Sequence, residues 1–322
     1  MTRTGQPAAS PSPPHSRTSL PAPRLEEVSD GVFAYLQPDG SWWLNNTGFL
    51  VTRTGVISVD STSTERRNRD YLAAIASVTH QPVRTLVNTH HHGDHTHGNS
   101  FFPQATVVGH ERTRDGVLAA GLPEFGELWE PVDWGDLTLE PPFLTYERGI
   151  TLWADDLRCE VTYVGTPAHT DNDSLVWIPE RSTLFAGDLL FQGGTPFLLQ
   201  GSVEGAIEVL ETVVRPLGAQ TIVAGHGPVS GPGLIDDVLG YLRFVQDLAR
   251  RARQAGLSPL EAARESDLGE YAGLTDAERI VGNLHRACAE LDGAGRGAPL
   301  DAVSILAEMV AYNGGRPLTC LA

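Results

Sequence analysis

The chain is predicted to fold as a layered α/β domain followed by a helical extension. Three observations predict this. Short β-branched runs alternate with helix-period segments from about residue 32 to residue 230. Apolar residues recur at helical spacing after Gly231. Between them, turns rich in His and Asp interrupt strand-like runs again and again.

The elements follow in order. Residues 1–24 hold six prolines with many Ser and Thr and no apolar run, which predicts a disordered Pro/Ser-rich tail. Strands are expected at 32–36, 49–52 and 56–59, a helix at 64–77, and a strand at 83–88. A strand at 106–109 and a helix at 111–120 come next. Residues 121–142, rich in Gly, Pro and Trp, read as an insertion loop over the site. Short strands fill 143–185, and a helix covers 203–214. Beyond residue 230, Leu239, Leu242, Val245, Leu248 and Ala252 mark one helix, with similar spacing at 277–291 and 300–311. The expected division is a tail (1–24), a catalytic domain (25–230) and a helical extension (231–322) that shapes the pocket or a homodimer contact.

Charge narrows the function. The formal net charge is −17, which opposes non-specific attraction to nucleic acid. All 23 basic residues are Arg. No stretch is long enough to span a membrane, and residues 1–24 lack the apolar core of a signal peptide. Cys159, Cys288 and Cys320 are odd in number and lie far apart, which fits a reducing cytoplasm.

The densest signal is NTHHHGDHTHGN, Asn88 to Asn99. His90 and His92 are two apart, so on an extended run both imidazoles face one way, while Asp94 and His95 follow in the loop. With His at 11 of 322 positions, an H-x-H-x-D-H string arises by chance in on the order of one such chain in a thousand. Three further turns supply more candidates: His169 in TPAHTDND, Asp188 in FAGD, at the end of an apolar run, and His226 in AGHGP. Imidazole and carboxylate without thiolate suit Zn²⁺, with Fe and Mn also compatible. His91, His97 and His110 are expected to orient ligands or face solvent.

The order HxHxDH, AH, GD, GHG resembles the metallo-β-lactamase superfamily across residues 32–229. That resemblance implies an αββα sandwich with two metal ions at one edge, between the sheets. It also implies that His90, His92 and His169 hold one ion, that Asp94, His95 and His226 hold the other, and that Asp188 bridges them. Two such ions activate water and polarise a carbonyl. Asp94 would be the catalytic residue, orienting the water and passing a proton to the leaving group, or else a ligand only. Lactamases of this fold commonly grip the antibiotic's carboxylate with a lysine, and this chain has none.

Substrate is read from aromatics. DGSWWLNN, Asp39 to Asn46, reads as a hairpin tip with an Asp-Gly turn. Trp42 and Trp43 either form an aromatic flap over the metals, or one packs in the core while the other shields the sheet edge. Phe191 and Phe197, with Trp129 and Trp134, can complete a wall or simply pack. PVDWGDLTLEPP, GDLLFQGGTPFLLQGS, YLRFVQ and AYNGGRPLTCLA resemble the cyclase/thioesterases of this fold in bacterial aromatic polyketide pathways. That resemblance implies a poly-β-ketone held as a thioester on an acyl carrier protein, ring closure by aldol condensation, and thioester hydrolysis. Carrier proteins are acidic, so docking would need a basic patch. Arg243, Arg250, Arg251 and Arg253 are candidates unless Asp247 pairs with Arg243 and Arg251. A glyoxalase II-like thioesterase, a lactonase and a single-iron oxygenase are the alternatives.

Overall fold

The computed structural model describes residues 20–124 and 126–322; most of the expected tail lies outside them. The chain opens with β1 (Arg24–Ser29), β2 (Val32–Leu36), β3 (Thr47–Val51) and β4 (Val56–Val59). Helix α1 (Glu65–Val78), β5 (Val83–Val87), the single-turn α2 (Gly93–Thr96), β6 (Thr106–His110) and α3 (Glu111–Ala120) follow. Then come β7 (Leu144–Tyr146), β8 (Gly149–Ala154), β9 (Leu157–Tyr163), β10 (Ser174–Ile178), β11 (Thr183–Phe191), α4 (Val203–Val209) and β12 (Thr221–His226). Four helices end the chain: α5 (Gly233–Ala255), α6 (Pro259–Glu265), α7 (Arg279–Leu291) and α8 (Ala302–Tyr312).

The strands form a seven-stranded sheet in sequential order β1 to β7 and a five-stranded sheet in the order β12-β11-β10-β9-β8. The first sheet is antiparallel from β1 to β4 and parallel from β4 to β7. The second is antiparallel except for β11 beside β12. Strands buried on both faces read as continuous apolar runs. VFAYL and SLVWI do so, and their inner side chains meet in one cluster with Leu50, Val87, Phe185 and Val223. Tyr71 and Ile75 of α1 pack on the outer face of the first sheet with Phe49 and Leu86. Helices α4, α5 and α7 cover the second sheet through Val209, Leu242, Val245 and Leu284. The result is an αββα sandwich with additional C-terminal helices.

Local signals set the helix ends. Thr64, expected as the first residue of α1, is its cap, accepting from the Arg67 N–H. The 203–214 helix is α-helical only to Val209 and widens into a π-turn through Val214. The single-turn α2, β1 and α6 escaped the sequence reading. β1 begins at Arg24, inside the expected tail, and pairs antiparallel with β2 although its sequence RLEEVS does not alternate and its register shifts between Glu27 and Ser29. Short α6 is held by a Ser258/Glu261 capping box. None of the described helices is long and apolar enough to cross a membrane.

Candidate metal centre

The site forms where β5, β11 and β12 bring their ends together between the sheets. After β5, Asn88 donates to the His95 carbonyl at 3.0 Å, and the Ser61 N–H and hydroxyl bond the same oxygen, each at 3.1 Å. These bonds fix the histidine loop as a tight turn, with His92 opening α2. His169 sits between β9 and β10, and His226 ends β12. Asp188 lies inside β11 rather than after it, where Gly187 breaks the register with β12. Gly225 is required beside it, because a Cβ there would come within 1.9 Å of Asp188 Oδ1.

Two groups of ligand atoms converge, each group lying within 4.8 Å: His90, His92, His169 and Asp188, and Asp94, His95 and His226. Asp188 stands between them. Its Oδ2 is 3.3 Å from both His169 Nε2 and His226 Nε2, and its Oδ1 is 3.1 Å from His95 Nε2. Asp94 Oδ2 is 3.3 Å from His226 Nε2.

The outer nitrogen of each ring reveals which nitrogen faces inward. His169 Nδ1 meets the Phe197 carbonyl at 2.5 Å and His226 Nδ1 the Gly40 carbonyl at 3.1 Å; a carbonyl only accepts, so both Nδ1 atoms carry the proton. His95 Nδ1 donates to Asp60 Oδ2 at 2.9 Å. The Thr89 hydroxyl donates to that same oxygen at 2.8 Å and accepts from His90 Nδ1 at 3.0 Å. His92 is reversed: its Nε2 faces Gln200 Oε1, leaving Nδ1 inward. In its neutral form each ring would therefore present a lone pair at its inner nitrogen. His92 Nδ1 and His169 Nε2 lie 2.8 Å apart, so a cation or a proton must sit between them. The buried His90 Nε2, His95 Nε2 and Asp188 Oδ1 have no hydrogen-bond partner among the described residues. Such a donor set fits metal ions and is costly without them.

Electrostatics separates the two groups. Burial holds His90 well below its ordinary value and brings His169 down to about 3, so both are neutral. Burial also opposes the charged form of His226, but the Asp188 and Asp94 carboxylates outweigh it and raise the ring to about 9. His95 rises against burial through Asp188, Asp94 and Asp60. Burial alone would raise the two site carboxyls, yet Asp94 is held low by His95 and His226, and Asp188 by His226 and His95. Without metal, the second group stores protons that metal would displace.

A cleft of about 240 Å³, counting its mouth, opens on these ligands. Trp42, Phe191, Phe197 and Arg279 line it beside His92, Asp94, His169, Asp188 and His226. Phe191 lies parallel to the His226 ring at 5.0 Å, and Trp42 meets Phe197 edge-on at 5.0 Å. Trp43 is not part of this wall. It is 9 % exposed and stacks on His97 behind Trp42, in edge contact with Trp129 and Trp134. Those two tryptophans also lie behind the wall, and Trp129 pairs with Leu318 near the C-terminus. The expected Asp-Gly hairpin tip is a ten-residue connection, 37–46, folded inward. Asn46 stitches it to the end of β12 through the carbonyls of Ala224 and Gly227. His91, His97 and His110 do not join the ligand groups, and none is freely solvent-facing. His91 contacts the Asn172 amide, and His110 stacks on Tyr163 at 4.1 Å.

Sequence reasoning missed Asp60, Thr89, Gln200 and Arg279. Asp60 ends VISVD as the other acidic candidate ends its run, a signal that was present. Gln200 and Arg279 gave none: Gln200 lies in the connection from β11 to α4, and Arg279 opens α7, far along the chain from the cleft residues it joins.

The comparisons agree with this geometry. A 2,4-dinitroanisole O-demethylase subunit alpha from Nocardioides sp. (strain JS1661) is 30 % identical over 175 residues, 53 % of this chain and 45 % of that protein. A hydroxyacylglutathione hydrolase from Rhodospirillum rubrum is 30 % identical over 148 residues, 45 % of this chain and 48 % of that one. The chain thus spans under half the length of both. A beta-lactamase-like protein 2 homolog from Caenorhabditis elegans is 25 % identical over 237 residues, 71 % of each. Among solved structures, a metallo-beta-lactamase from Pontibacter korlensis shares the fold with a TM-score of 0.58 at 19 % identity, over 69 % of this chain and 99 % of that one. A family model described as the metallo-beta-lactamase superfamily matches residues 40–226, more than half of the sequence, and the chain belongs to that superfamily.

Proposed function

We propose that the protein is a dimetal thioesterase that also closes a ring on its acyl substrate, an aromatic polyketide tethered to an acyl carrier protein. The observation that carries the reading is the pairing of a complete seven-residue ligand set with an aromatic-walled cleft. His90, His92 and His169 would hold one ion, Asp94, His95 and His226 the other, and Asp188 both. Zn²⁺ fits this donor set, with Fe and Mn tolerated. Bound ions would supply an activated water, polarisation of the thioester carbonyl, and charge to stabilise a carbanion for aldol closure.

The chain's own residues do the rest. Trp42 and Phe197 meet edge-on at the cleft, and Phe191 is stacked against His226, so flat acyl surface can lie along them. Asp94, at the cleft floor, orients the attacking water and carries its proton to the departing sulfur as the C–S bond breaks. Gln200 and the Phe197 carbonyl keep His92 and His169 in register.

A second reading is supported by the hydroxyacylglutathione hydrolase relatives and by the modest cleft: hydrolysis of a small glutathione thioester. The carrier surface does not favour the first reading. Arg243 pairs with Glu211, Arg250 with Asp247, and Arg253 with Asp292, so these cations on α5 are already matched. In place of the expected Asp247 pairs with Arg243 and Arg251, Asp247 pairs with Arg250 and Arg243 turns to Glu211. The deciding experiment incubates the metal-loaded protein with a carrier-linked bicyclic polyketide and, separately, with S-lactoylglutathione, following products by mass spectrometry. Dehydrated, released polyketide supports the first reading; turnover of the glutathione thioester alone sinks it.

A further inference from the structure

Arg279, the first residue of α7, reaches the cleft from outside the sandwich and is the one cation besides the histidines among its lining residues. It is 1 % exposed. Its guanidinium lies 4.0 Å from the Trp42 ring centre and 5.4 Å from that of Phe191. Trp42 is itself fixed, because its indole N–H donates to Glu278 at 2.8 Å. One guanidinium N–H bonds the Thr195 carbonyl at 2.9 Å.

One carboxylate faces the guanidinium, but its hydrogen bonding is incomplete. Asp276 Oδ2 lies 2.9 Å from Arg279 Nη2 but meets hydrogen-bond geometry with no group among the described residues, so the pair is close and oblique. Arg279 Nε, fully buried, has no hydrogen-bond partner among the described residues. Burying a cation is costly unless it is paired and hydrogen-bonded. A planar fork held against aromatic rings, with N–H groups to spare, is built to receive an oxyanion.

We infer that Arg279 is a substrate-recognition residue, binding an anionic oxygen on a flat acyl compound whose reacting carbonyl faces the metal ligands. The ligand class is an aromatic or enolised acyl group bearing a carboxylate, phenolate or enolate. This rests on the proposed function only where the anion is identified with the enol or phenol oxygens of a polyketide. The C-terminal helices then contribute specificity, and the catalytic sheets contribute the chemistry.

The test uses the metal-loaded full chain and two probes of equal shape, benzoate and benzamide, with binding read by tryptophan fluorescence. Metal–carboxylate attraction is common to wild type and variants, so the difference between probes across variants isolates Arg279. Wild type is expected to prefer benzoate, and Arg279→Met to cut that preference about tenfold or more. Because Arg279 is buried, Arg279→Met can fail to fold. Asp276→Asn then decides: Asn tolerates the left-handed backbone at this position (φ 56°) and removes the competing carboxylate. It is expected to tighten benzoate severalfold while leaving benzamide unchanged. A benzoate preference unaltered in every folded variant overturns the inference. Failure of the carrier-linked polyketide to react, with the Arg279-dependent preference intact, sinks the proposed function and leaves this one standing.

Discussion

Asp60 Oδ2 accepts the Nδ1 proton of His95 at 2.9 Å, and through the Thr89 hydroxyl it also governs His90. One buried carboxylate thereby sets the tautomer of a histidine in each ligand group. Burial pushes Asp60 above the ordinary carboxyl range, and the His95 ring opposes that rise. In Asp60→Asn an amide N–H can face His95 Nδ1, which moves the ring proton to Nε2, toward the metal. Metal affinity should fall by about 10–100-fold with a cooperative melt retained. Competition against a chelator measures it, and native affinity in the folded variant would refute the tautomer argument.

Asp94 carries the proposed proton transfer. Its carboxylate faces the cleft, 3.3 Å from His226 Nε2 and 3.7 Å from His95 Nε2. Asp94→Asn keeps the shape and an oxygen donor but cannot take a proton. The kcat on a thioester should drop by about 10²–10⁴-fold while KM changes little. Metal content measured on the same sample separates the two roles. A loss of turnover that merely tracks a loss of metal would reduce Asp94 to a ligand.

The candidate ligand positions were legible in the sequence because His and Asp cluster in turns beside apolar runs, although the histidine string proves to be a tight turn and Asp188 lies within β11. The same holds for α5, α7 and α8 of the extension, whose apolar spacing needs no tertiary knowledge. What hid was non-local. Trp42 and Trp43 are adjacent, yet one lines the cleft and the other stacks on His97. The left-handed backbone of Trp43 (φ 69°) and the bonds of Asn45 and Asn46 decide which. Gln200 reaches His92 across 108 positions, and Arg279 reaches Trp42 across 237, separations that no window can register. β1 was hidden because RLEEVS has no period-2 alternation, Leu25 and Val28 being three apart, so its pairing with β2 alone reveals it.

His97 gives a stability signature in pH. It is buried against Trp43, and burial lowers it from 6.5 to about 4. Above pH 6.5 the ring is neutral in both folded and unfolded chains, so its stability contribution is fully present. As pH falls from 6.5 toward 4, the unfolded chain takes up a proton the folded one refuses, and stability is lost. From pH 6.5 to 5 the loss should be about 2 kcal/mol from this ring, at about 1.4 kcal/mol per unit. His97→Phe, which keeps a planar ring on Trp43, should flatten the profile in that window. Urea denaturation of the metal-loaded protein across pH 5–7 measures it; parallel profiles for wild type and variant would show that His97 carries no such linkage.

Asn283 ties the extension to the ligands. Fully buried on α7, it accepts the Leu198 N–H at 2.8 Å and donates to the Pro196 carbonyl at 2.7 Å and the Tyr241 hydroxyl at 2.9 Å. Phe197, between those two backbone groups, is the residue whose carbonyl orients His169. Asn283→Leu is close in volume but leaves the Leu198 N–H and Pro196 C=O buried without partners, at roughly 1–3 kcal/mol each. Two effects are expected: a lower unfolding free energy by denaturant titration, and weaker metal binding, because His169 loses the strut behind its acceptor. A variant that loses stability but binds metal with native affinity would show that the 195–200 loop holds its shape without α7, and that the extension supports the sandwich without tuning the site.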